Sequence, residues 1–311
     1  MTGINFSVSG EYNIIVRKSD GTEEATGWFP NLILNQGLNQ LGQDASSLLM
    51  YASVGTGISV PTDTQTNLDS PIAYSSAGQS SSTVNIGSPT YAGIHTRVYS
   101  FPQGSVIGNI SEVGIGTTNT DGSLFSRALI LDVNSNPTSI TLIAIDQLII
   151  YYRLTMTPPL TDMTGSVVLN GVTYNYVSRI CNANYWGNIE YVYTNSVYFN
   201  SIYACWAFGP DAALAPITAN TCAGTQSRDS ATAVSTGVYT IDTYHRDWTI
   251  VYGPSAGNLD SNGAPLGGIK GLHILGGGSW SAINFQIVFD AVIPKVNTNQ
   301  LSITFRYSWG R

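Results

Sequence analysis

The chain has 311 residues, of which 10% are charged, and carries 32 glycines, 18 tyrosines and a formal net charge of −7. That length suffices for two ordinary domains or one large β domain, and it rules out a small stapled scaffold. Gly, Ser, Thr, Asn and Tyr in place of Lys and Glu favour short strands and polar turns over surface helices, and the acidic balance offers no basic cluster to track phosphates, which argues against nucleic acid as a direct partner.

The opening MTGINFSVSG lacks the basic and apolar regions of a secretory leader, so synthesis as a soluble protein in a cytoplasm is expected. INFSVSGEYNIIVRK reads as a strand pair, and GTEEATGWFPNLI as a turn and a strand. LNQGLNQLGQ has the spacing of a helix of about two turns, with Leu34, Leu38 and Leu41 covering a sheet edge or end. RVYSF, SEVGIG, SLFSRALIL and QLIIYYRLTM follow as strands, several with the alternation of a half-buried antiparallel sheet. The most apolar stretch, ITLIAIDQLIIYY, is broken by Asp146 well short of a membrane span, so no membrane insertion is expected. TPPLTDMTG, with Pro158 and Pro159, reads as a linker, because proline cannot continue a β ladder.

Beyond that linker the second half repeats patterns of the first in the same order. EYNIIVR and TYNYVSR set Tyr12 and Arg17 against Tyr174 and Arg179, 162 positions on. MYASVGTG and IYACWAFG share Tyr-Ala at a spacing of 152, His95 and His245 lie 150 apart, and DQLIIYYRLTM and NQLSITFRYSW set Arg153 against Arg306 at 153. Four ordered matches whose offsets drift by loop-sized amounts predict an internal duplication. The bland alternative is that Tyr, Gly and Val are common enough in β proteins for such matches to arise anywhere. The expected fold is all-β: two tandem β-sandwich domains related by internal duplication, residues 1–158 and 165–311, joined by a linker at 159–164, with a short helix in the first and the second a diverged copy.

Little in the chain points to chemistry. Cys181, Cys205 and Cys222 fit no metal spacing and read as buried free thiols. His95, His245 and His273 are far apart in sequence, so no metal site is expected. GTG and GGG lack the following residues of a phosphate cradle, and no cofactor is expected. Asp242, Asp247 and Asp260, with Tyr244, His245 and Trp248 among them, would suit acid and base roles around a sugar. The plainer reading is a strand with surface polar residues, and no catalytic residue is assigned. The stretch from Tyr174 to Trp206 packs ten aromatics into 33 residues with only two charges, Arg179 and Glu190. Strand alternation turns about half of them to a core and puts Tyr191 and Tyr193 on one face. The candidates for a subunit interface or for stacking on a ligand are Tyr185, Trp186, Tyr191, Tyr193, Tyr198 and Trp206.

Three segments of the first half form an ordered set: FPNLILNQGLNQLG (Phe29–Gly42), VGTGISVPTDTQTNLDSPI (Val54–Ile72) and ISEVGIGTTNTDGSLFSRALI (Ile110–Ile130). Together they resemble virion proteins of tailed bacteriophages, notably fibre, collar and baseplate components, over about 100 residues. The second half departs from the pattern, with GLHILG where the first reads EVGIG. The resemblance implies a non-enzymatic structural component of the tail, collar or baseplate region, or a fibre or its attachment module, located in the virion. Its partners would be itself and other virion proteins, and a chain of two similar halves suits a trimer or hexamer, because each copy offers two near-equivalent positions to a six- or twelve-fold neighbour. The alternative is a receptor-binding protein that reads host surface glycan through the aromatic-rich second half. Physically the motifs are structural devices: Gly55, Gly57 and Gly116 permit tight corners, Pro61 fixes a loop exit, and Arg127 can bridge strands or meet Glu112 on the neighbouring strand.

Overall fold

The computed structural model describes residues 4–43, 48–85, 91–120, 122–181, 183, 202–276 and 283–311. The described chain is all-β, with one short helix, as its composition predicts. Strand β1 (Ile4–Arg17) is continuous where a strand pair is expected, with Phe6, Val8, Tyr12, Ile14 and Val16 turned inward. Gly10 at its middle serves a close approach, since a Cβ there would collide with the Tyr152 hydroxyl and the Asn31 side chain. The short β2 (Glu23–Ala25) and β3 (Phe29–Pro30) fold back on β1, and β4 (Leu32–Ile33) leads into α1 (Asn35–Gly42). Leu34, Leu38 and Leu41 are all buried at this helix. Then come β5 (Tyr51–Gly55), β6 (Pro71–Asn85), β7 (Ala92–Ser100), β8 (Gly108–Ile110), β9 (Glu112–Gly116), β10 (Leu124–Leu129), β11 (Ile140–Leu142) and β12 (Gln147–Thr157). The first half closes when β12 pairs antiparallel with β1, from Ser7 opposite Thr157 to Arg17 opposite Gln147.

The second half opens with β13 (Met163–Leu169), which takes up the last two residues of the expected linker. It forms a hairpin with β14 (Val172–Ile180) through Asn170 and Gly171, whose φ values of 50° and 78° fit the left-handed residues of a two-residue turn. The remaining strands are β15 (Ile202–Phe208), β16 (Gln226–Ser230), β17 (Ala233–Thr236), β18 (His245–Tyr252), β19 (Ile269–Gly276), β20 (Ile283–Ile293) and β21 (Leu301–Gly310). A long path runs β17-β18-β21-β1-β12-β7-β6-β5-β9-β10-β4, and a separate six-stranded sheet runs β13-β14-β20-β19-β15-β16.

The two halves use the same ladder order. β5, β9 and β10 are consecutive antiparallel neighbours in the first half, as are β15, β19 and β20 in the second. Likewise β6, β7 and β12 correspond to β17, β18 and β21. In the first half β6 turns the corner, pairing with β5 up to Ser76 and with β7 from Ala77 onward, with a register irregularity between Ala77 and Gln79. In the second half β16 and β17 share that corner: Ala231 N–H donates to Cys205 O at 2.7 Å and Thr232 N–H to Val251 O at 2.8 Å.

One part of the expected correspondence is corrected. Placing Tyr174 over Tyr12 and Arg179 over Arg17 requires β14 to lie beside β21, as β1 lies beside β12. Instead β14 pairs with β13 and β20, and the open side of β21 is taken by β1 in parallel, Ile4 opposite Tyr307 through Ser7 opposite Gly310. The reason is the edge on offer: β10 is covered by the two-residue β4, whereas its counterpart β20 runs eleven residues and accepts the whole β13–β14 hairpin. Arg153 and Arg306 do lie in corresponding strands, β12 and β21.

The boundary expected at residues 159–164 therefore does not separate the sheets, because β17, β18 and β21 belong to the sheet of β1. A single apolar cluster holds core residues of both halves. Phe6 meets Phe285 of β20 edge-on at 5.7 Å, while Tyr12 Oη bonds Ser126 Oγ of β10 at 2.8 Å, so β1 packs face to face against strands of each half. Leu301, Ile303, Phe305, Tyr307 and Trp309 of β21 are all buried, which at about 1.5–3 kcal/mol each is on the order of 10 kcal/mol, comparable to the stability of a whole domain. A chain ending after Asn297 is expected to be insoluble or to lack cooperative unfolding, as measured by sedimentation and circular dichroism; a soluble, cooperatively folded product would refute it.

Candidate functional site

The Val54–Ile72 loop and the strand pair within Ile110–Ile130 are joined through a buried ion pair. Glu112 opens β9 and Arg127 lies on β10, its antiparallel neighbour, where Arg127 faces Gly114. Both are fully buried. Arg127 donates from Nε at 3.0 Å and from Nη2 at 2.8 Å to Glu112 Oε2, and from Nη2 to Asp69 Oδ2 at 2.8 Å and Nη1 to Gln65 Oε1 at 2.7 Å. Glu112 also accepts three backbone N–H groups, those of Gly57 (2.9 Å), Ser70 (2.8 Å) and Asp69 (3.0 Å). The loop from Thr56 to Ser70 is thereby laid over the strand pair, and a Cβ at Gly55 or Gly57 would strike the Glu112 carboxylate. Both oxygens of the Glu112 carboxylate are engaged, in holding the loop and in pairing with Arg127.

The acids considered for sugar chemistry do not converge. Asp247 is held by Arg306 through two bonds, at 2.8 and 3.0 Å, and its carboxyl lies below the ordinary range because of those hydrogen bonds. Asp242 accepts from Asn39 Nδ2 at 2.8 Å, and Asp260 caps a turn by accepting from the Asn262 and Ala264 N–H groups at 2.9 and 2.8 Å. Trp248 is buried and stacked on Tyr307 at 5.0 Å. The three cysteines are free and buried, and burial pushes the thiols of Cys205 and Cys222 up to about 12, far from reactivity. No group of His, Cys, Asp and Glu suited to a metal occurs among the described residues, and no helix there is long and apolar enough to cross a membrane.

Of the six aromatic candidates, Tyr185, Trp186, Tyr191, Tyr193 and Tyr198 lie outside the described residues. Trp206 is half-buried on the outer face of the six-stranded sheet, stacked on His273 of β19 at 6.2 Å and packed against Phe208, Ala212 and Cys222. The repeat-pair residues serve the scaffold. Tyr12 and Tyr174 face the core. Arg17 bonds Glu23 at 2.8 Å, Arg153 bonds Glu11 at 2.7 Å and lies 4.1 Å over the Trp28 ring, and Arg179 grips Asp162 at 2.6 and 2.7 Å.

A groove of about 880 Å³ lies on that same outer face, between the β13–β14 hairpin and the Ala212–Leu214 segment. Its polar groups are Thr164 and Ser166 from β13, Asn175 from β14, Lys270 from β19 and Asp290 from β20. Asn175 occupies both oxygens of Asp290, with N–H at 3.1 Å and Nδ2 at 2.7 Å. Val177 and Val288 give it an apolar floor, and Val288 packs on the cluster beneath Trp206. It holds donors, hydroxyls and apolar surface, the make-up of a ligand-binding groove. Comparison with family models, with curated proteins and with solved structures gives no match.

Two outcomes are expected here. Glu112→Gln leaves Arg127 without its main counter-charge and should cost about 3–5 kcal/mol in denaturant unfolding; Arg127→Met added to it should restore part of that loss, because the two effects are coupled. His95 and His273 are both buried, and burial, aided at His95 by Arg97, brings their pKa values down to about 3 and about 4. The unfolded chain binds protons at these sites near the ordinary value of 6.5, so it gains protons first as pH falls and stability declines below that pH. The decline should reach about 2 kcal/mol per histidine by pH 5, and His273→Gln should remove its share of the slope between pH 6.5 and 5.

Proposed function

We propose that the chain is a non-enzymatic structural component of a tailed-phage particle, in the tail, collar or baseplate region or as a fibre or fibre-attachment module, made in the host cytoplasm and assembled as a homo-oligomer with other virion proteins. The observation that carries this reading is the Glu112–Arg127 unit. Two of the three segments that resemble phage virion proteins are tied together through the buried pair, and the first joins them by backbone bonds, Leu34 N–H to Phe125 O at 3.0 Å and Asn35 N–H to Asp63 O at 2.8 Å. Residues arranged in this way fix shape, and shape is what a building block contributes.

A second reading, recognition of host surface glycan by the second half, is favoured by the groove beside Trp206, whose hydroxyl, amide and apolar lining suits a sugar. The test of the main reading is the mass of the purified chain by light scattering at micromolar concentration, with capsule and lipopolysaccharide assayed alongside for release of reducing ends. A trimer or hexamer without hydrolysis is the expected outcome. A monomer would overturn the assembly, and hydrolysis abolished by Asp247→Asn with the fold intact would overturn the non-enzymatic role.

A further inference from the structure

Of the three lysines in the chain, Lys18 meets Asp146 at 3.3 Å and Glu24 at 3.7 Å. Lys295 is different. It follows β20, has only 4% of its surface exposed, and meets no carboxylate among the described residues. Its Nζ donates to Asn258 Oδ1 and to Val296 O, both at 3.0 Å, which leaves one of three N–H groups without an acceptor. Burial holds its pKa below the ordinary lysine value. A buried ammonium with only neutral partners is costly, and opposite charge relieves that cost.

Lys295 lines a cavity of about 720 Å³ formed by the β18–β19 loop, the segment after β20, and Arg228 of β16. Among the described residues, no aspartate or glutamate lines it. The neighbouring acids are already committed, Asp260 to the turn it caps and Asp229 to Arg228 at 3.2 Å across half-exposed side chains. Ser255, Asn258 and Asn297 add neutral polar groups, and Gly267 and Gly268 bring backbone to the wall with no side chain. In a chain of net charge −7, the described lining of this recess thus carries two cations, one of them Arg228 with Asp229 beside it, and no acid.

We propose that this cavity binds a small oxyanion-bearing ligand, its carboxylate or phosphate group seated on Lys295 and met by Arg228 from β16. The volume exceeds that of a bare ion and admits a body about the size of a sugar acid, for which Asn258, Ser255 and Asn297 supply hydrogen bonds. The site is separate from the groove beside Trp206 and stands whether or not the chain is part of a virion.

The experiment is calorimetric titration of the full chain with inorganic phosphate, with D-glucuronate and with uncharged D-glucose, at constant ionic strength set with chloride. Saturable binding of phosphate or glucuronate, absent for glucose, is expected, and the preferred anion distinguishes phosphate from carboxylate. Lys295→Met should weaken it at least tenfold, and Arg228→Gln severalfold. Absence of saturable binding by either anion would overturn the site, as would Lys295→Met binding like the parent. Should Lys295→Met fail to fold, Arg228→Gln decides: weakened binding supports the site and unchanged affinity overturns it.

Discussion

A strand has two edges, and β1 gives one to β12, antiparallel from Ser7 to Arg17, while β21 pairs with it in parallel along Ile4–Ser7 and the short β3 and β2 pair with it further on. Every strand of the long path is reached through it. Alternation along its fourteen residues then decides what lies beneath: Phe6 is set against Phe285 of the second half and Tyr12 against Ser126 of the first. The two halves cannot be parted at the proline-containing connection without exposing the open edge of β21, together with the aromatic face that Phe6 and Tyr307 share at 4.6 Å.

The shared strand also explains why the halves are alike without being equivalent. Each has a corner, a three-stranded ladder beyond it and a closing strand with an arginine in the same place, yet the acid that meets the arginine comes from different sides. Arg153 of β12 takes Glu11 from β1, whereas Arg306 of β21 takes Asp247 from β18. The parallel ladder between β1 and β21 begins only at Tyr307, one residue past Arg306, so β1 cannot offer a directly opposed carboxylate there and the antiparallel neighbour does so instead. The same cross-strand requirement is satisfied with different pieces.

What was legible in the sequence was mostly local. The alternation in QLIIYYRLTM, the leucine spacing of α1 and the pairing of Glu112 with Arg127 on adjacent strands follow from period and proximity, and the structure has each of them. INFSVSGEYNIIVRK reads as a strand pair and is one strand, and Gly10 at its middle answers to the Tyr152 hydroxyl, 142 residues on, which a Cβ there would strike. Asn170-Gly171 is a strong hairpin signal, but the double proline before it drew the connection too far into β13. The position of β14 beside β20 was not legible, since it depends on which distant edge is longer. The cavity around Lys295 was hidden for a related reason: its walls come from three separated segments, and a lone lysine in sequence is indistinguishable from a solvated one.

Charge is scarce here, and where it lies constrains recognition. Arg127, Arg153, Arg179 and Arg306 each hold a carboxylate of the scaffold, so these guanidinium groups fix loops and ladders and are not available to steer a partner. Contact with other molecules must then rest largely on shape, hydroxyls and amides, as in the groove beside Trp206, whose one carboxylate, Asp290, is already occupied by Asn175. Lys270 and Lys295 differ from these, since neither meets a carboxylate among the described residues. They line different recesses of the second half, one with the Asp290 carboxylate beside it and one with no acid among its described lining residues. That difference sets what each can hold: the groove suits a neutral polar ligand, and the recess at Lys295 suits an anion, so the second half can discriminate by charge although most of its surface carries none.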